Sequence, residues 1–87
     1  MSKNIFTPNQ EKLQTLLRQI RLDAGLSQVE LAQRLDFPQS LISKYESGER
    51  RLDLLEIHKI CKAVGISLEE FVKKLEELLK CNQTNNS

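Results

Sequence analysis

Gln39, Ser40, Ser43 and Lys44 form a set of side chains with recognisable chemistry. Their spacing of one, three and four residues places all four on one outer face of a helix. The opposite face of that helix carries Ile42 and Tyr45, which must turn inward. The outer set holds a carboxamide, two hydroxyls and an ammonium, and no carboxylate. A carboxamide can pair through two hydrogen bonds with adenine, an ammonium can donate to guanine O6 and N7, and a hydroxyl suits either base. The chemistry on offer is therefore the reading of base edges in a DNA groove. No Ser/His/Asp set, paired-carboxylate site or phosphate-binding glycine loop occurs in the chain, so neither a catalytic residue nor an enzyme is expected. The alternative is an ordinary solvated helix face.

Those residues need a frame, and residues 27 to 48, SQVELAQRLDFPQSLISKYESG, supply one. Ser27 with Glu30 makes a capping box, and Leu31, Ala32 and Leu35 point inward. Asp36-Phe37-Pro38 makes a turn, a second short helix covers Gln39 to Ser47, and Gly48 stops it. Ala32, the one small apolar residue, sits where two short helices must cross closely. This is the layout of a helix-turn-helix, whose second helix enters the major groove.

Three further helices complete an all-α domain. The first starts at Thr7-Pro8-Asn9-Gln10 and runs to about Ala24, with Leu13, Leu16, Leu17, Ile20 and Ala24 on its stripe and Gly25 at its end. Asp53 with Glu56 opens the fourth, whose apolar positions are Leu54, Ile57, Ile60, Cys61 and Val64, up to Gly65. Ser67 with Glu70 opens the fifth, which carries Leu68, Phe71, Val72, Leu75, Leu78 and Leu79 over an extended length. The expected organisation is a flexible arm over residues 1–6, one domain over 7–80 with its helix-turn-helix at 28–47, and a disordered polar tail over 81–87.

The chain has 87 residues and 39 % hydrophobic content, which suits one small domain built by helix packing. Its net charge is +1, too low for a nonspecific DNA coater. Residues 1–52 carry eight Lys/Arg and six Asp/Glu, residues 53–87 five and six, so the charge splits as +2 and −1. A placed reading helix, doubled in a dimer, fits this balance better than a large electrostatic field. No stretch is long and apolar enough for a membrane span, and MSKNIFTPNQ lacks a signal-peptide core, so a cytoplasmic protein is expected. Cys61 and Cys81 make no metal pattern; Cys61 reads as a small core residue, and neither a disulfide nor a metal is expected. His58, the single histidine, reads as partly buried and structural. There is no room for an ordinary ligand pocket, so no cofactor or small-molecule ligand is expected.

Residues 13–72 resemble the XRE family of helix-turn-helix regulators, the lambdoid phage repressor and Cro group. The matching residues are Gly25-Leu26-Ser27-Gln28, Glu30-Leu31-Ala32, Ile42 through Gly48, and Ala63-Val64-Gly65-Ile66. The resemblance implies a compact five-helix lambda-repressor-like domain, working as a DNA-binding dimer that controls transcription in a bacterial or phage setting, at the nucleoid. It implies base contacts at Gln39, Ser40 and Lys44, to which the outer face adds Ser43. It implies a phosphate contact by Gln28 beside the cap Ser27; Arg50 and Arg51 follow the reading helix and can also reach the backbone. It further implies a partly buried ion pair between Arg21 and Glu46. Two departures stand out: Asp36 replaces the usual turn glycine, where φ must be positive, and Pro38 replaces the usual Ser or Thr cap.

Leu55, Leu68, Val72, Leu75, Leu78 and Leu79 exceed what a minimal five-helix domain needs and are candidates for a homodimer interface. Two-fold symmetry would then demand an inverted-repeat operator. The partners expected are double-stranded DNA and a second copy, with a protein partner left open. An interaction module, or a regulator of the antitoxin or restriction-modification controller type acting with a partner protein, is the alternative.

Overall fold

A computed structural model describes residues 8–85, with side chains to Lys80. Five helices follow one another: α1 (Pro8–Asp23), α2 (Gln28–Leu35), α3 (Gln39–Ser47), α4 (Leu54–Val64) and α5 (Leu68–Asn85). The described residues contain no strand. The expected arm at residues 1–6, and the cap at Thr7, lie outside the described residues.

Local signals set the helix starts. Ser27 Oγ accepts from the Glu30 amide while Glu30 Oε1 accepts from the Ser27 amide, at 3.0 and 2.8 Å. Asp53 and Glu56 make the same reciprocal pair at α4. Ser67 Oγ accepts from the Glu70 amide at the start of α5. Each such bond satisfies an amide that the first helical turn leaves without a partner. Asp36 adopts φ 58°, ψ 41°, the left-handed geometry required at a position where the family usually has glycine. Pro38 begins α3 with no side-chain cap.

α5 continues five residues past Lys80, into the segment read from sequence as a disordered tail. A helix already nucleated adds one hydrogen bond per residue, so polar composition does not stop it where no glycine or proline intervenes. Residues 86 and 87 lie outside the described residues.

The core gathers one face from every helix. Leu31, Ile42, Tyr45, Ile60 and Cys61 are fully buried, with Leu16, Leu17, Ile20, Leu26, Ala32, Ile57 and Phe71 around them. Burial pushes the Cys61 thiol up to about 11, which leaves it protonated and unreactive at neutral pH. His58, expected to be partly buried, is exposed, as are Ala24 and Leu54. Ala24 lies one residue past the end of α1, in the turn, and Leu54 is the first residue of α4, where the chain has only begun to pack.

Two contacts between distant helices close the bundle. Lys12 Nζ donates to the Leu78 carbonyl, tying α1 to α5, and Arg34 Nη1 donates to the Ala63 carbonyl at the end of α4. Gly48 ends α3 at φ 91°, and a Cβ placed there would lie 2.5 Å from Gln14 Nε2. Gly25 has φ 75° with nothing within 4 Å. Gly48→Ala should therefore cost about 1–2 kcal/mol for the left-handed backbone alone, and more than Gly25→Ala because Gln14 must also move. Urea melts of the two variants check this; equal losses would show that Gln14 yields freely.

Candidate nucleic-acid interface

α3 is held from two sides, by α2 and by α1. Ile42 and Tyr45 anchor its inner face at 0 % and 1 % exposure. Gln39, Ser40, Ser43 and Lys44 are all exposed on the other side, so the structure brings the four base-reading candidates onto one accessible face. Leu41 is half-buried and packs against the core, which commits it to the turn region.

Behind that face lies a buried charge pair. Arg21 Nε donates to Glu46 Oε2 at 2.7 Å and Nη2 donates to Oε1 at 3.0 Å, with side-chain exposures of 8 % and 5 %. The third arm of the guanidinium, Nη1, donates to the Leu26 carbonyl at 2.8 Å. The hydrogen bond to Glu46 holds the Arg21 pKa above its ordinary value, against the opposing effect of burial. The pair ties the end of α3 to α1 across 25 residues of sequence.

Gln28 extends this network outward. Its Nε2 donates to Glu46 Oε1 at 3.1 Å, and its Oε1 accepts a long bond from Gln39 Nε2 at 3.4 Å. A continuous polar chain therefore runs from Arg21 through Glu46 and Gln28 to Gln39. Ser27 uses its hydroxyl as the cap acceptor of α2. Arg50 is half-buried and paired with Glu56, Nη2 to Oε2 at 3.0 Å, which also lowers the Glu56 pKa. Arg51 is exposed, and among the described residues its side chain has no hydrogen-bond or ion-pair partner. Of the four phosphate candidates, then, Gln28 and Arg50 are already engaged within the protein, Ser27 is a cap and Arg51 is free.

Sequence reasoning missed the link from Gln28 to both Glu46 and Gln39. Spacing relates residues along one helix, and these three lie on two. Tyr45 Oη is buried with no hydrogen-bond partner, and burial raises its pKa. Among the described residues no group of three His, Cys, Asp or Glu converges on one point. No helix of the described residues is long and apolar enough to cross a membrane.

Residues 17–71 match the Helix-turn-helix family model, a span that takes in the whole of α2 and α3. The chain belongs to the XRE family of helix-turn-helix transcriptional regulators. It is 34 % identical over 65 residues to an uncharacterised HTH-type transcriptional regulator of Methanothermobacter thermautotrophicus, covering 75 % of this chain and 94 % of the relative. Among solved structures, it is similar to an XRE-family like protein from Pseudomonas syringae pv. tomato, at 41 % identity and TM-score 0.77, covering 87 % of this chain and 93 % of the other. It is also similar to the restriction-modification controller protein C.Esp1396I, at 25 % identity and TM-score 0.74, covering 82 % and 93 %. The five-helix architecture of this regulator is thus that of XRE-family structures.

Proposed function

We propose that this regulator binds an inverted-repeat operator as a homodimer, lays α3 in the major groove and represses transcription. The observation that carries the reading is the outer face of α3. Four exposed hydrogen-bonding residues, with no carboxylate among them, stand on a helix whose inner face and far end are both locked. Gln39 and Lys44 supply base discrimination, and Ser40 and Ser43 adapt to either base. Gln28, pinned by Glu46, positions Gln39 and offers its remaining amide hydrogen to a backbone phosphate. Arg51 supplies an unpaired cation for the backbone.

A single reading helix covers too few bases for useful specificity, which favours a dimer. Leu55 is 73 % exposed, and Val72 and Leu78 are exposed too, so apolar surface is available for a partner copy. Leu68 and Leu75 are half-buried against this chain's own core and contribute only their outer edges; Leu79 is also half-buried. The similar controller protein C.Esp1396I is a tetramer in complex with its natural 35 base-pair operator. A controller-type role in the cytoplasm, at the nucleoid, is consistent with that likeness.

Selection from random duplex DNA at near-physiological salt tests the reading. The expected result is an enriched inverted repeat with half-sites one helical turn apart, about 34–36 Å. A folded protein that enriches no sequence would overturn it and would favour a module that binds protein through the exposed leucines.

A further inference from the structure

Beside the reading face lies a polar recess of about 310 Å³, lined by Arg18, Arg21, Gln28, Ser43, Glu46 and Ser47. It joins three helices: α1 supplies both arginines, α2 its first residue, and α3 the other three. Ser43 belongs at once to this recess and to the base-reading face, one turn from Gln39, so the two surfaces are continuous.

The charges in the recess do not cancel. Glu46 is matched in charge by Arg21, which donates from Nε and Nη2 to Glu46 and from Nη1 to the Leu26 carbonyl. Arg18 is left over. It is exposed, and among the described residues it has neither a hydrogen bond nor an ion pair. Its own helix offers it no partner: one turn away stand Gln14, Thr15, Arg21 and Leu22, and no carboxylate. The Ser43 hydroxyl likewise has no partner among the described residues, and the Gln28 amide has one hydrogen to spare beyond that given to Glu46. The Ser47 hydroxyl serves the Lys44 carbonyl and Glu49, so it adds little. A guanidinium, a hydroxyl and an amide N–H around one net positive charge are the donors that a phosphodiester takes.

We infer that this recess binds a backbone phosphate flanking the base-reading site, with Arg18 of α1 as its cation. The inference rests on the DNA-binding reading above and extends the interface from the helix-turn-helix to α1. Arg18 would position the protein on the duplex and add no sequence preference of its own.

The test is the salt dependence of binding to the selected duplex, measured for the full chain and for Arg18→Ala and Arg18→Lys. Arg18→Ala should lower the slope of log K against log salt by about 0.9 per protomer, and weaken operator and unrelated duplex alike. Arg18→Lys should keep the slope, because the charge remains. Duplexes with one neutral methylphosphonate at successive backbone positions locate the contact. At one position per half-site, the advantage of the native protein over Arg18→Ala should disappear. Unchanged slope and affinity in Arg18→Ala, in a protein that still binds its operator, would overturn this inference alone. A native protein with no salt-dependent DNA binding would overturn both it and the reading beneath it. Arg18 is exposed, so the variant's thermal melt should match the native one.

Discussion

Truncating Glu46 to alanine should cost roughly 3–5 kcal/mol of stability, because it leaves the Arg21 guanidinium buried without its counter-charge. That is a large share of the 5–15 kcal/mol typical of a whole domain. The geometry supports the size of the effect. Both Glu46 oxygens accept from Arg21, one also accepts from Gln28, and both side chains are more than nine-tenths buried. Arg21→Ala should be similarly severe, since it strands the carboxylate and also removes the donor to the Leu26 carbonyl. Replacing both together, as Arg21→Met with Glu46→Leu, removes the stranded charge and should lose less than Glu46→Ala alone. Urea unfolding of the three variants decides the matter. If the double variant loses as much as Glu46→Ala or more, the stranded charge is not what makes the single truncation costly. A folded double variant should still bind DNA more weakly, because Gln28 and the end of α3 lose their common anchor.

Substitutions on the reading face should behave in the opposite way. Gln39→Ala and Lys44→Ala remove exposed side chains, so melting should be unchanged, while each should erase about 1–3 kcal/mol of discrimination at its own base pair. The measurement is the ratio of affinities for the selected operator and for operators altered at one base pair. Each variant should flatten that ratio at one position of each half-site and leave the other positions intact. Gln39→Ala should show a further small effect through Gln28, which loses the donor that holds its carbonyl oxygen. If both variants keep the full operator preference, α3 is not the reading helix.

The contrast between these two sets of variants follows from burial. Arg21 and Glu46 are more than nine-tenths buried, so little water can replace a lost partner and truncating either acts on folding. Gln39 and Lys44 are solvated in the free protein, so truncating them changes only what happens at the duplex. The 3.4 Å bond from Gln39 to Gln28 is the one place where the two sets touch.

Much of this molecule was legible along the chain because the deciding interactions are local. Ser27 with Glu30 and Asp53 with Glu56 sit three residues apart, and each pair closes on its own helix start. Gly25, Gly48 and Gly65 take positive φ at helix ends that their positions mark. The 3.6-residue period names Leu16, Leu17, Ile20, Ile42, Tyr45, Ile57, Ile60 and Phe71 as inward residues, and it places Gln39, Ser40, Ser43 and Lys44 outward. Asp36 was readable as a left-handed turn residue only through the family resemblance, which puts glycine at that position; its φ is 58°.

What only the tertiary structure decided is which polar side chains meet across helices. Arg50 and Arg51 are adjacent and chemically alike, yet the Arg50 side chain is paired with Glu56 while that of Arg51 has no partner among the described residues. Gln28 and Arg18 carry no local mark of their surroundings; the first is drawn into the Glu46 network and the second stands in an uncompensated recess. Leu54 and His58 are exposed on α4, while Ile57, Ile60 and Cys61 of the same helix are buried. Helix existence and face depend on contacts three or four residues apart, which composition and period encode directly. Partner choice depends on how helices cross, and that crossing is settled by the packing of the whole core at once.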